Sequence, residues 1–118
     1  MPNILIAGGG SGGHVAPAIA IAEALQSLRC DSILAHSTRD IDKRMVSQTP
    51  FKCITLPASP FSFSPAKFVK FYTGFRKTEK CVRNFIKEEN IECVVATGGF
   101  VAAPALRAAR KMNCPTVL

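Results

Sequence analysis

The residues best suited to chemistry sit between an apolar run and a helical pattern: Gly8, Gly9, Gly10, Ser11, Gly12, Gly13 and His14. Glycines allow a tight turn and let a ligand approach the backbone amides closely. A helix starting behind them offers unpaired N–H groups and a partial positive charge, which together suit a phosphate. Gly8, Gly10 and Gly13 also satisfy the G-x-G-x-x-G dinucleotide pattern. That pattern expects an acidic residue roughly 20 positions on, at the end of the second strand. Here the second run ends His36-Ser37-Thr38-Arg39, and Asp40 arrives only after it. An NADP site using Arg39 and a tight turn holding no ligand are both compatible with the glycines alone. His14 separates these readings, because a dinucleotide loop needs no histidine in the first helical turn. The helix amino terminus disfavours added positive charge there, and neutral imidazole is the form a general base requires. The alternative for a lone histidine is a structural residue with its bonds satisfied locally.

A second loop repeats the arrangement: Thr97-Gly98-Gly99-Phe100-Val101-Ala102-Ala103-Pro104. An apolar run again breaks at paired glycines and enters a helix of small residues, which packing against a sheet would also explain. Two such loops at the carboxyl ends of neighbouring parallel strands would converge on one crevice. Two helix amino termini facing that crevice suit a diphosphate better than either does alone.

The elements that must position these loops alternate between two periodicities. Short apolar runs at 3–7, 32–36, 52–56, 92–97 and 115–118 suit buried parallel strands. Helical patterns lie between them, from Pro17 to Leu28, over 41–48, over 66–89 and over 101–112. Pro17 is expected in the first helical turn, where its missing N–H costs nothing. Strictly alternating strands and helices predict an α/β fold, a Rossmann-like parallel sheet with flanking helices. A chain of 118 residues holds one such domain.

Composition narrows the partners. Apolar residues are 47% and charged residues 19%, as in globular proteins, and no apolar run approaches the ~20 residues of a membrane-spanning helix. No charged-then-apolar leader opens the chain. The five cysteines form no C-x-x-C pair, which suits reduced thiols rather than a zinc site or disulfide framework. The net charge of +7 calls for an anionic partner. Between positions 67 and 87, Lys67, Lys70, Arg76, Lys77, Lys80, Arg83 and Lys87 stand against Glu79 alone, so that stretch of one helix has a net charge of +6. Phe68, Phe71, Tyr72, Phe75, Val82, Phe85 and Ile86 form a stripe on the same helix, expected to pack on the sheet. Before it, Phe61 and Phe63 lie in the proline-rich loop 57–65 with no regular element to bury them. Loop aromatics beside Lys67, Lys70 and Phe68 suit an anionic membrane surface. No nucleic-acid-binding motif accompanies the charge, so nucleic acid is not the expected anion.

The two loops together, Gly8 to Pro17 and Thr97 to Pro104, resemble those of the bacterial MurG family of peptidoglycan glycosyltransferases. The resemblance runs along the whole chain, and Asp42 with Met45 and Val46 adds a third point of likeness. It implies the amino-terminal, acceptor-binding half of a two-domain GT-B enzyme. The implied reaction moves N-acetylglucosamine from UDP-N-acetylglucosamine to the lipid-linked muramyl acceptor lipid I, with inversion and without cofactor or metal. It also implies peripheral attachment to the cytoplasmic face of the inner membrane. Ser11, Gly12 and Gly13 match the donor-touching segment, and His14 the base for the acceptor 4-hydroxyl. Gly10, Gly98, Gly99 and Phe100 match the cradle of the acceptor diphosphate. Ser11 stands where Thr is common, Phe100 replaces the usual Tyr, and 47–51 lacks the family's typical Pro and Gly. In that family a His-Glu-Gln-Asn segment and a donor-binding domain follow the fifth strand. The chain alone is therefore expected to show no transferase activity. A membrane-docking subunit that recruits a separately encoded donor domain is the alternative, and the reading frame beyond codon 118 discriminates the two.

Overall fold

A computed structural model describes residues 3–9 and 12–118, with nine elements in strict alternation. They are β1 (Asn3–Gly8), α1 (Gly12–Ser27), β2 (Asp31–His36), α2 (Asp40–Ser47), β3 (Lys52–Thr55), α3 (Pro65–Glu88), β4 (Cys93–Gly98), α4 (Ala102–Lys111) and β5 (Thr116–Val117). All the strands are parallel, in the order β3-β2-β1-β4-β5. The α/β expectation holds. The chain winds outward from β1 to β3, then crosses back to β4, so the order reverses between β1 and β4. Ligands of open α/β sheets bind at that reversal, beyond the carboxyl ends of the strands.

Side chains alternate across the sheet as the pleat requires. Ile6 and Leu34 join Val15, Ala18 and Ala22 of α1 and Val46 of α2 in one core. Leu5, Ala7, Ile33, Ala35 and Val94 face the other way, onto Val82 and Ile86 of α3 and Ala105, Ala108 and Ala109 of α4. The alanines let α4 lie close to the strands. Helices α1, α3 and α4 end in the same way. Arg29, Asn90 and Asn113 take positive φ, and the next residue's N–H returns to the carbonyl of Leu25, Ile86 or Ala109.

Two expectations need correction. Helix α1 begins at Gly12, not at Pro17, so Pro17 lies inside it. Gly12 and Gly13 belong to the first helical turn, and Pro17 withholds the N–H that would bond the Gly13 carbonyl. The aromatic stripe of α3 is divided. A helix of 24 residues is about 36 Å long, whereas six-residue strands span about 20 Å, so α3 overshoots the sheet. Its first buried residue is Gly74, where Pro57 and Ala58 cross the helix so closely that a Cβ would stand 2.7 Å from the Pro57 carbonyl oxygen. Beyond Gly74 the stripe packs as expected, through Val82, Phe85 and Ile86. Before it, Phe68, Val69 and Tyr72 are exposed.

Candidate functional site

Parallel pairing delivers the turns after β1 and β4 side by side, and glycine then lets them touch. A Cβ on Gly99 would run into the carbonyl oxygen of Gly9, and one on Gly8 into Thr97 Oγ1. Gly98 and Gly99 have φ of +127° and +84°, conformations that residues with a Cβ rarely adopt. The imidazole of His14, in the first turn of α1, lies against Gly98, where a Cβ would stand 2.6 Å from Nδ1. Thr97 Oγ1 donates to the His14 carbonyl at 2.7 Å, tying the start of α1 to the end of β4. His14, Gly98 and Gly99 therefore meet at the β1/β4 crevice, as the paired-loop expectation required. Gly12 and Gly13 fall in the first turn of α1. Gly10 and Ser11 lie outside the described residues.

The turn after β2 forms the crevice's other shoulder. Buried Asp42, in the first turn of α2, accepts the Ser37 N–H at 2.9 Å and the Ser37 hydroxyl at 2.5 Å, both on Oδ2. The same oxygen would be 2.5 Å from a Cβ on Gly9, so the bare Gly9 backbone packs directly on this pair. Ser37 Oγ also accepts the Arg39 N–H at 3.2 Å. From there the Arg39 side chain reaches the ring of Phe100, with its guanidinium carbon 5.4 Å from the centroid. Phe100 thus belongs to the crevice, with its ring under a cation.

A second constellation lies at the same end of the sheet, where loop 56–64 leaves β3. Phe61 meets Phe63, Phe68 and Phe71 edge-on, with ring centroids 5.0, 6.1 and 5.3 Å away. The cluster stays open to solvent: Phe63 is 92% exposed, Phe61 and Tyr72 53% each, and Phe68 44%. Lys67 and Lys70 join Ser59, Pro60, Phe61 and Ser62 around a cleft of about 370 Å³ beside it. The aromatic cluster is therefore an exposed apolar group edged by cations.

Residues 4–118 match the family model described as the glycosyltransferase family 28 N-terminal domain. The chain belongs to that family. The match assigns the glycine pattern to a glycosyltransferase fold rather than to a dinucleotide-binding domain. Among curated relatives, a Tropheryma whipplei protein is 35% identical over 119 residues, and a Clavibacter michiganensis protein 37% over 121. Both are named UDP-N-acetylglucosamine–N-acetylmuramyl-(pentapeptide) pyrophosphoryl-undecaprenol N-acetylglucosamine transferase. Each alignment covers this whole chain and 33% of the relative, so the chain spans about a third of their length. The fold is also that of the Acinetobacter baumannii MurG crystal structure, with a TM-score of 0.85 and 21% identity over 98% of this chain and 34% of that one. A second fold match, LpCGTa solved in complex with UDP, has a TM-score of 0.70 and 20% identity over 98% of this chain and 29% of that one.

Within this family 28 domain, two features of the site are not visible in the residue pattern. Thr97 was part of the second loop, but its bond to the His14 carbonyl joins residues 83 positions apart. On the sequence Arg39 suggests only a partner for a nucleotide phosphate, whereas its side chain turns across the crevice to Phe100. A cation in a carboxyl-end turn of an α/β sheet was the available signal.

Proposed function

We propose that this domain is the acceptor side of an inverting N-acetylglucosaminyltransferase that converts lipid I to lipid II, working with a donor-binding domain across the crevice. The observation that carries this reading is the packing of the His14 imidazole against Gly98 where the two glycine turns meet. In this reading the amides of the β1 and β4 turns hold the acceptor's diphosphate, beside the amino termini of α1 and α4. His14 takes the proton from the sugar 4-hydroxyl as that oxygen bonds to the donor's anomeric carbon. The bond from that carbon to UDP breaks on the opposite side. UDP leaves with the electron pair, and the configuration inverts. Ser11, Gly12 and Gly13 are the residues this reading assigns to contact with the donor.

The exposed aromatic patch suits the lipid anchor of such an acceptor. No helix among the described residues is long and apolar enough to cross a membrane. Phe61, Phe63 and Phe68 would enter the interface while Lys67 and Lys70 meet anionic headgroups, each cation contributing about 1 kcal/mol. Patch and crevice share the carboxyl end of the sheet, which would keep the diphosphate near the headgroup plane. In this reading the domain attaches peripherally to the cytoplasmic face of the inner membrane.

Calorimetric titration of a lipid I analogue with a shortened isoprenyl chain tests the reading. Binding is expected for the wild type and for His14→Gln, which removes the base while keeping a polar side chain. UDP-N-acetylglucosamine should bind far more weakly to this domain alone. Failure of the analogue to bind the wild type would overturn the acceptor-side assignment.

A further inference from the structure

We propose that Arg39 is an anion-positioning residue, held by the Phe100 ring so that its guanidinium reaches the acceptor diphosphate; this rests on the acceptor-side reading above. The described residues of the turns at the carboxyl end of the sheet are 9, 37–39, 56–64 and 99–101, and Arg39 is the one Lys or Arg among them. A diphosphate placed there meets helix termini and amides, but no other full positive charge from those turns.

The geometry fits that task. Strand order puts β2 and β4 on either side of β1, so a contact between Arg39 and Phe100 spans the glycine turn. The base of Arg39 is fixed by its N–H bond to Ser37 Oγ, and Ser37 is fixed by buried Asp42. Its side chain is exposed, and among the described residues no carboxylate stands within 4.0 Å to neutralise it. A guanidinium resting on a ring face gives up none of its in-plane N–H groups. Those donors form a fork that matches two phosphate oxygens, and the ring limits the orientations the fork must lose on binding.

Titration of geranyl diphosphate and inorganic pyrophosphate onto the 118-residue chain, with melting curves for each variant, tests this. Arg39→Gln should weaken both ligands at least tenfold, reduce the salt sensitivity of binding and leave the melting temperature unchanged. Arg39→Lys keeps the charge without the planar fork and should recover only part of the loss. Phe100→Leu should weaken binding several-fold, and Phe100→Tyr, which keeps a ring face, should rescue it. Wild-type affinity in Arg39→Gln overturns the proposal while leaving the acceptor-side reading intact. Loss of affinity that tracks a lowered melting temperature overturns it in favour of a structural role. Equal affinities for Arg39→Lys and wild type, with Phe100→Leu unaffected, overturn the part given to the ring. A wild type that binds neither diphosphate overturns both this proposal and the reading beneath it.

Discussion

An alanine at position 99 would have to hold φ near +84° and drive its methyl into the Gly9 carbonyl oxygen. The left-handed conformation alone costs about 1–2 kcal/mol, and the collision adds to it by forcing the β1 and β4 turns apart. Gly99→Ala should therefore lower unfolding free energy by about 2–4 kcal/mol in urea melts. Gly98→Ala should displace the His14 ring as well, which a change in the imidazole NMR shifts would report. These glycines were legible in the sequence because each breaks an apolar run, a local pattern. The Ser37–Asp42 pair that supports Gly9 was not legible in the same way. Asp42 is fully buried, although an aspartate in a polar helical segment ordinarily faces water. Its likeness to the family's acidic position marked the residue, and only the approach of Gly9 to its carboxylate gives the physical reason. Ser37→Ala should remove a short bond to a buried carboxylate and cost about 1–3 kcal/mol, measurable in the same melts.

Helix α3 does two jobs that the periodicity of its sequence could not separate. Its apolar residues recur on one face from Phe68 to Ile86, broken by Thr78 and Glu79, but only the part from Gly74 onward is buried. Length, not pattern, decides which phenylalanines face solvent, and the sheet's extent is known only once the strands are assembled. Glu79 makes the same point about charge. On the sequence it is the one acid among seven bases between positions 67 and 87, yet it is 3% exposed, beneath Lys111 Nζ and 3.4 Å from Arg107 Nε of α4. The hydrogen bond from Lys111 holds its carboxyl below the ordinary carboxylate range; the charges of Lys111, Arg107 and Arg83 add to this, and desolvation opposes it. A carboxyl group lowered in this way stabilises the fold fully above its unfolded value near 4.5. That contribution is lost as pH falls through the lower folded value. Melting temperature should therefore fall below about pH 4.5 in the wild type, with a smaller fall in Glu79→Gln. At neutral pH that variant should be less stable by about 2 kcal/mol, below the figure for a fully buried pair because both cations remain partly in water.

At the scale of the molecule, the charge and the crevice have to serve one surface. The +7 charge is concentrated on α3, whose protruding turns carry Lys67 and Lys70 beside the aromatic cluster. If this face docks on lipid, cosedimentation with liposomes should require anionic lipid and weaken with salt. Replacing Phe61 and Phe63 by Ser should reduce it at least tenfold without loss of stability, because both rings are largely in solvent. Neutral liposomes pelleting the chain equally well would refute electrostatic docking. Catalysis makes a further demand. In the acceptor-side reading the crevice would supply a base and a diphosphate cradle, whereas rate enhancement in a bimolecular transfer comes from holding both reactants in one attack geometry. On that reading these turns serve the acceptor alone, and the relatives named as transferases are three times as long. The 118-residue chain, given lipid I and radiolabelled UDP-N-acetylglucosamine, should accordingly yield no labelled lipid II. Mixing it with the donor-binding domain of a relative should restore turnover. His14→Ala should abolish that turnover while leaving the lipid I analogue bound. Labelled product from the isolated chain would show that one domain organises both substrates, and the two-domain requirement would fall.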